Sequence, residues 1–176
     1  MRFTIKSRYV LLIAITTVFS SYVSIGIKIN DLELSSPRPL QEDTTGNYAV
    51  YWILIADTGK NYKKLDAEMY GLEKCAHIPT DTMNRYYNKR KNEIVLSEKD
   101  DDEMYRGSYY PRRFTSVNLS LEYYIQYSPL STEKNIALVT GIYDNPGSAD
   151  SALKRLRNYA PKSFIQHAKV YIGCMH

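Results

Sequence analysis

The chain has 176 residues, of which 44% are hydrophobic and 24% are charged, so it is globular, with room for one ordinary domain and a leader. Residues 1–26 hold three of the 23 basic residues and none of the 19 acidic ones, which leaves 20 basic against 19 acidic residues. A nearly neutral remainder argues against nucleic acid, or an anionic membrane surface, as the partner.

Residues 1–26 have the pattern of an export signal. Three basic residues precede an apolar run of 11 residues, Tyr9 to Phe19, and small residues follow the run. The run is short for a membrane span, so we expect a cleaved signal peptide, with an uncleaved N-terminal anchor as the alternative. The expected location is the periplasm or the exterior, with inner-membrane contact only if the segment is retained.

The first half of the mature chain predicts a linker, a strand and a helix. Residues 27–47 contain two prolines and no sustained period, which predicts a polar linker before a single domain at 48–176. The continuous apolar run at 48–59 predicts a buried strand. Apolar residues from Tyr62 to Ala76 recur at spacings of three and four, which predicts an amphipathic helix. A polar turn at 88–92 then separates two short strands.

Residues 97–134 are predicted to be an insertion. They begin with an acidic run, Glu98–Glu103, which predicts a solvated loop because it lacks the glycine and the ligand spacing of a calcium loop. Apolar residues then fall on alternate positions from Val117 to Tyr127, a period of two that favours a strand. A helix beginning at Ser116 or Asn118 is the alternative.

The C-terminal third predicts a second strand, helix and strand. The apolar segment at 135–144 is followed by a turn, an amphipathic helix from Ala149 to Tyr159, and a closing strand at 168–173. The order is therefore β-α-β, an insertion, and β-α-β. This order predicts an α+β fold of the ferredoxin-like split βαβ type, with one antiparallel sheet and both helices on one face.

This pattern resembles the SPOR (sporulation-related repeat) domain, over roughly 48–96 and 135–173. The second half carries most of the likeness, in a strand that ends with a glycine and an aromatic residue and a helix with small residues and leucines: Gly141, Tyr143, Ala149, Ala152, Leu153 and Leu156. The segments "YYPRRF", "LSLEYY" and "YIGCMH" also resemble a signature of exported proteins from Bacteroidetes-type bacteria.

The resemblance implies a module that binds peptidoglycan glycan strands lacking stem peptides. The implied site is the sheet face opposite the helices, since the apolar faces and hydroxyl rims of sugars suit aromatic plates beside polar groups. Tyr51, Tyr143 and Tyr171 are the candidate plates, and packing of these tyrosines against the insertion is the alternative. If residues 97–134 fold over that face, glycan binding there is not expected.

A second binding candidate is the segment "SYYPRRF". Tyr109, Tyr110, Arg112 and Arg113 place guanidinium groups beside aromatic rings, which suits carboxylates, sugars or a protein partner. An internal clamp, with arginine stacked on tyrosine or paired with the acidic run, is the interpretation that we favour for these residues. This segment motivates the alternative function, an interaction or structural module on which an envelope protein docks. Because no nucleophile elbow or phosphate-cradling loop is present, we predict neither an enzyme nor a cofactor.

The two cysteines, Cys75 and Cys174, are predicted to form a disulfide. The first helix runs antiparallel to the first strand, and the last strand also runs antiparallel to it, which places both cysteines at the end where the first strand begins. An exported protein also meets an oxidising compartment. A metal site of these cysteines with His77 and His176, and free thiols, are the alternatives.

Overall fold

The computed structural model describes residues 46–174. The predicted signal peptide or anchor (1–26), nearly all of the predicted linker (27–47) and His176 lie outside the described residues. Between residues 46 and 174, no helix has both the length and the hydropathy needed to cross a bilayer.

The described chain is an α+β domain built on one antiparallel sheet. In chain order its elements are β1 (Tyr48–Gly59), α1 (Tyr62–Ala76), β2 (Arg85–Asn88), β3 (Glu93–Leu96), β4 (Ser120–Tyr123), a 3-10 turn (Tyr124–Gln126), β5 (Ile136–Tyr143), α2 (Pro146–Leu156) and β6 (Phe164–Tyr171). The sheet has the order β4-β5-β1-β6, and β2 and β3 form a separate hairpin. Residues of α1 and α2 share one core with one face of the sheet, so the predicted ferredoxin-like α+β fold is confirmed.

An asparagine side chain caps the N-terminus of each helix. The Asn61 side chain accepts a hydrogen bond from the Lys64 N–H at the start of α1, and Asn145 accepts one from Ser148 at the start of α2. These caps satisfy N–H groups that have no partner within the helix. Pro146 stands in the first turn of α2, where a missing N–H costs nothing.

The chain leaves the main sheet between α1 and β4, earlier than predicted, and we call residues 77–119 the excursion. We expected residues 97–134 to stand outside the sheet, but they supply the edge strand β4, which pairs with β5. The β2–β3 hairpin, which we placed in the first β-α-β unit, is the part that lies outside. Local periodicity identified strands in both segments, whereas the choice of the strand that joins β5 depends on long-range pairing.

The sheet face opposite the helices is covered. Its apolar residues are almost fully buried and form a second core: Ile53, Ile55, Ala137, Val139, Ile142, Ala168 and Val170. Tyr127, only 2% exposed, packs into this core. Its hydroxyl donates a hydrogen bond of 2.8 Å to the Arg112 carbonyl, and Arg113 donates one of 2.9 Å to the Gly173 carbonyl beyond β6. Residues of the predicted insertion thus lie over this face.

A buried ion pair between Arg85 and Glu122 attaches the excursion to β4. Glu122 is 0% exposed and accepts hydrogen bonds from Arg85 at 2.7 and 2.5 Å, from the Tyr109 hydroxyl at 2.6 Å and from the Arg112 backbone N–H at 3.3 Å. Burial by itself would raise the pKa of Glu122. The Arg85 charge and the hydrogen bonds from Arg85, Tyr109 and Ser120 outweigh that effect and lower its pKa.

We predict that Glu122→Gln lowers the free energy of unfolding by about 3 kcal/mol at neutral pH, because the variant leaves Arg85 buried without its counter-charge. The folded-state pKa of Glu122 is lowered, so its contribution is complete above the ordinary glutamate pKa of about 4.3 and is lost as pH falls through the lower folded value. The difference between wild type and variant should therefore shrink in acid.

Urea unfolding of both proteins at neutral and acid pH measures this difference. Glu133→Gln, at an exposed position before β5, is the matched control and should change little at either pH. A Glu122→Gln protein as stable as wild type at neutral pH would contradict the prediction.

Candidate functional site

The sheet extends beyond the helices at one end. β1 has 12 residues, or roughly 36 Å from first to last, whereas α1 has 15 residues, or roughly 22 Å. Ala76, the last residue of α1, lines the same cavity as Leu54, so the helix ends near the level of Leu54. α1 therefore does not cover the start of β1, where Tyr48 and Val50 are 46% and 44% exposed.

Alternate residues of β1 and β6 form the helix-side surface of this uncovered end. Leu54 and its partner Ile165 pack in the helix-side core, and residues two apart on a strand share a face. The three pairs beyond Leu54 therefore lie on the helix side, and Tyr143 of β5 stands opposite Trp52 on the same face. We call this surface the aromatic strip: Tyr48, Val50, Trp52, Tyr143, His167, Lys169 and Tyr171.

The rings of the aromatic strip pack in pairs and stay partly exposed. The Trp52 and His167 ring centroids are 5.0 Å apart, and Tyr48 meets Tyr171 edge-to-face at 5.2 Å. The Lys169 ammonium lies 4.9 Å from the Tyr48 ring centroid, within cation–π range. Tyr48 remains 46% exposed. Trp52 lies four residue steps beyond Tyr48 on β1, so the strip extends about 13 Å along the strand.

Tyr143 connects the aromatic strip to cavities beside α2. Its ring lies over Gly141, where an added Cβ would stand 2.6 Å from the ring, so glycine permits this close contact. Tyr143 lines two cavities of about 350 and 550 Å³, which share Val117 and Arg155. Burial raises the pKa of the Tyr143 hydroxyl, which therefore stays protonated and can donate a hydrogen bond.

The three predicted plates do not share a face. Tyr51 packs against the second core on the side opposite the helices, whereas Tyr143 and Tyr171 belong to the helix-side strip. Of the two alternatives for the sheet face opposite the helices, an open face or one covered by the 97–134 segment, the structure has the covered face, because Tyr127 packs on it. Sequence analysis also missed Trp52. Its position, two residues before Leu54 on a period-two strand, is the signal that could have found it.

The "SYYPRRF" segment is an internal clamp. Arg112 and Arg113 are 3% and 8% exposed, and Tyr109 is bonded to Glu122. Arg113 donates a hydrogen bond of 2.9 Å to the Gly173 carbonyl and lies 5.8 Å from the Tyr110 ring centroid. Burial and the neighbouring Glu122 charge raise the pKa of Tyr109 well above its usual value. The internal clamp that we favoured is therefore what Tyr109, Arg112 and Arg113 form.

Cys75 and Cys174 are exposed free thiols, so the structure lacks the predicted disulfide. Cys75 lines a groove of about 720 Å³ together with residues 159–162, which precede β6, whereas Cys174 follows β6. The eight residues of β6 span roughly 24 Å, but bridged cysteines need Cα atoms within about 7 Å. The expectation of a shared end was wrong because α1 ends short of the start of β1.

The distance between Cys75 and Cys174 also argues against the alternative metal site. Cys75 and His77 lie at the end of α1, away from Cys174, and His176 lies outside the described residues. No three His, Cys, Asp or Glu side chains of residues 46–174 are grouped closely enough to hold a metal ion.

Comparison with protein-family models, with curated proteins and with solved structures finds no match for this chain. The SPOR-like resemblance therefore stays a prediction, and the site is argued from its own geometry.

We predict that the purified full chain, kept without reductant, reacts with two equivalents of an aromatic disulfide reagent in its native state, because both thiols are exposed. Cys174→Ser should leave one reactive equivalent. Absence of reaction even after denaturation would show that the cysteines are bridged, contrary to the structure.

Proposed function

We propose that the protein is an exported, non-enzymatic module that binds polysaccharide strands in the cell envelope, and that peptidoglycan glycan is the polymer. The observation that carries this proposal is the aromatic strip, a row of partly exposed rings at the uncovered end of β1 and β6.

The chemistry of the strip suits sugars. A pyranose ring has an apolar face that stacks on an aromatic plate and a rim of hydroxyls that needs polar partners. Trp52, Tyr48 and Tyr171 offer plates, while His167 and Lys169 stand between them with polar groups. Because the strip is elongated and follows a strand, it suits a linear polymer better than a compact small molecule.

The sequence supports peptidoglycan as the polymer. Residues 1–26 have the export pattern, and the SPOR-like order of elements implies glycan binding. The proposed surface differs from that expectation in one respect, since it lies on the helix side of the sheet rather than on the covered side.

A second candidate function is docking of an envelope protein on the excursion. Phe114 and Val117 favour it, because they are 57% and 55% exposed in the segment that covers the second face. Aromatic side chains such as that of Phe114 are enriched at protein interfaces relative to the rest of the surface. The buried Arg112 and Arg113 supply no anchor there.

We predict that wild-type protein co-sediments with peptidoglycan sacculi and prefers amidase-stripped over intact material. Trp52→Ala should weaken binding about tenfold, because it removes the largest aromatic plate of the strip. Tyr48→Ala should weaken it to a smaller extent.

Tyr70→Ala is the matched control for Tyr48→Ala. Tyr70 is 44% exposed on α1, close to the 46% of Tyr48, but it lies outside the strip. Equal losses for Tyr48→Ala and Tyr70→Ala, or no pelleting of wild type with either kind of sacculi, would contradict the proposed function. In the second case, loss of partner capture in Phe114→Ala would support the docking alternative.

A further inference from the structure

We propose that the groove between α1 and the segment before β6 is a second binding site, and that it takes a single-chain amphiphile with a zwitterionic head group. The groove has a volume of about 720 Å³, and none of its lining residues belongs to the aromatic strip. Its size is typical of small-molecule sites, which measure about 300–1,000 Å³. The site is therefore separate from the proposed glycan surface.

One side of α1 forms a wall of the groove. The residues of α1 that line the groove lie on one side of the helix: Lys64, Glu68, Gly71, Leu72 and Cys75. Residues 159–162 line it from the opposite side, and Ala56 and Leu138 of the sheet lie between the two walls. From Lys64 to Cys75 the helix advances about 16 Å, so the groove is elongated.

Gly71 keeps this wall low. It lies in the interior of α1, where glycine is the least favourable residue after proline. A Cβ added at Gly71 would meet no atom within 4 Å, so packing among the described residues does not require a glycine there. An occupant of the groove that approaches the helix backbone closely would require it.

The shape and lining of the groove suit an acyl chain better than a peptide. Spread over its length, the volume corresponds to about 7 Å across, which is narrower than a helix with its side chains, at about 10 Å. An extended peptide would need hydrogen-bond partners along its backbone, but the backbone groups of α1 are already bonded within the helix. An acyl chain has no such groups, and Leu72, Leu138 and Pro161 offer it apolar contacts.

Charged groups of both signs lie at one end of the groove. The Lys64 ammonium lies 2.8 Å from the Asp57 carboxylate and 3.1 Å from that of Glu68, so two carboxylates share one cation. Lys162 also lines the groove, and it makes no ion pair with any of residues 46–174. β6 begins two residues after Lys162, opposite Ile55 of β1, so Lys162 lies toward the Asp57 end.

This end matches a zwitterionic head group. The unpaired Lys162 suits a phosphate, while the excess carboxylate of Asp57 and Glu68 suits an ammonium group. The acyl chain would then run along α1 toward Cys75, whose exposed thiol lies at the other end of the groove. Cys75 is therefore a built-in reporter of how far the chain extends.

The test measures the rate at which Cys75 reacts with a thiol reagent in the full-chain Cys174→Ser variant, with and without alkylphosphocholines below their micelle-forming concentrations. Dodecylphosphocholine should slow the reaction, whereas hexylphosphocholine should bind more weakly and leave the thiol accessible. Each added methylene should strengthen binding about fourfold, because burying one is worth about that factor. Laurate and dodecyltrimethylammonium, which carry one charge each, should bind more weakly than dodecylphosphocholine.

Gly71→Leu should abolish this protection by filling the groove. It should be at least as resistant to heat as wild type, because leucine is a better helix former than glycine, so the loss would not reflect unfolding. Ala67→Leu is the matched control, since Ala67 is exposed on α1 but does not line the groove, and it should behave as wild type.

Three outcomes overturn the inference: no protection of Cys75 at any chain length, full protection in Gly71→Leu, or equal affinity for the three head groups. Equal protection of Cys174, measured in Cys75→Ser, would also overturn it, because it would indicate non-specific detergent binding. None of these outcomes affects the proposed function, which is tested with sacculi and with variants of the aromatic strip.

Discussion

The buried carboxylate of Glu122 is the interaction on which the position of the whole excursion depends. A charge with 0% exposure is costly unless partners replace its lost hydration, and here these partners come from distant parts of the chain. Arg85 arrives from the start of β2, while Tyr109 and Arg112 arrive from the loop before β4. The three partners must therefore be in place together. Once they are, the Arg112 carbonyl is positioned for Tyr127, and the loop lies over the sheet face that would otherwise be open.

A second constraint, the mismatch in length between β1 and α1, determines what the molecule leaves exposed. A strand residue advances the chain about twice as far as a helix residue, so 12 residues of β1 extend well beyond 15 residues of α1. Because of this mismatch, the two cysteines lie far apart and the residues of the aromatic strip are not covered by α1. One geometric fact thus accounts both for the missing bridge between Cys75 and Cys174 and for the candidate site around Trp52.

The periodicity of apolar residues was sufficient to predict the order of strands and helices, but it did not locate the candidate site. The apolar run of β1 and the stripe from Leu65 to Leu72 are local signals, so the order of elements followed from them. Which strand joins β5 is a matter of pairing across the chain, and the competing strands of the hairpin and β4 have similar local patterns. The internal clamp of Arg112 was predicted but its acceptors were not, because a charged residue enters a core only where tertiary neighbours such as Ser116 and Ser120 bond it.

The charges on the aromatic strip have a structural reason as well as a proposed binding role. β6 is an edge strand, and an exposed edge with aromatic side chains invites pairing with another chain. Lys169 counters that tendency, because charged side chains on an edge disfavour strand addition. The same residue borders the strip with positive charge beside Tyr48. Protection of the edge and a polar contact with the proposed glycan are therefore compatible roles for one side chain. A polymer that binds through stacking and surface charge can use this edge without adding a strand to the sheet.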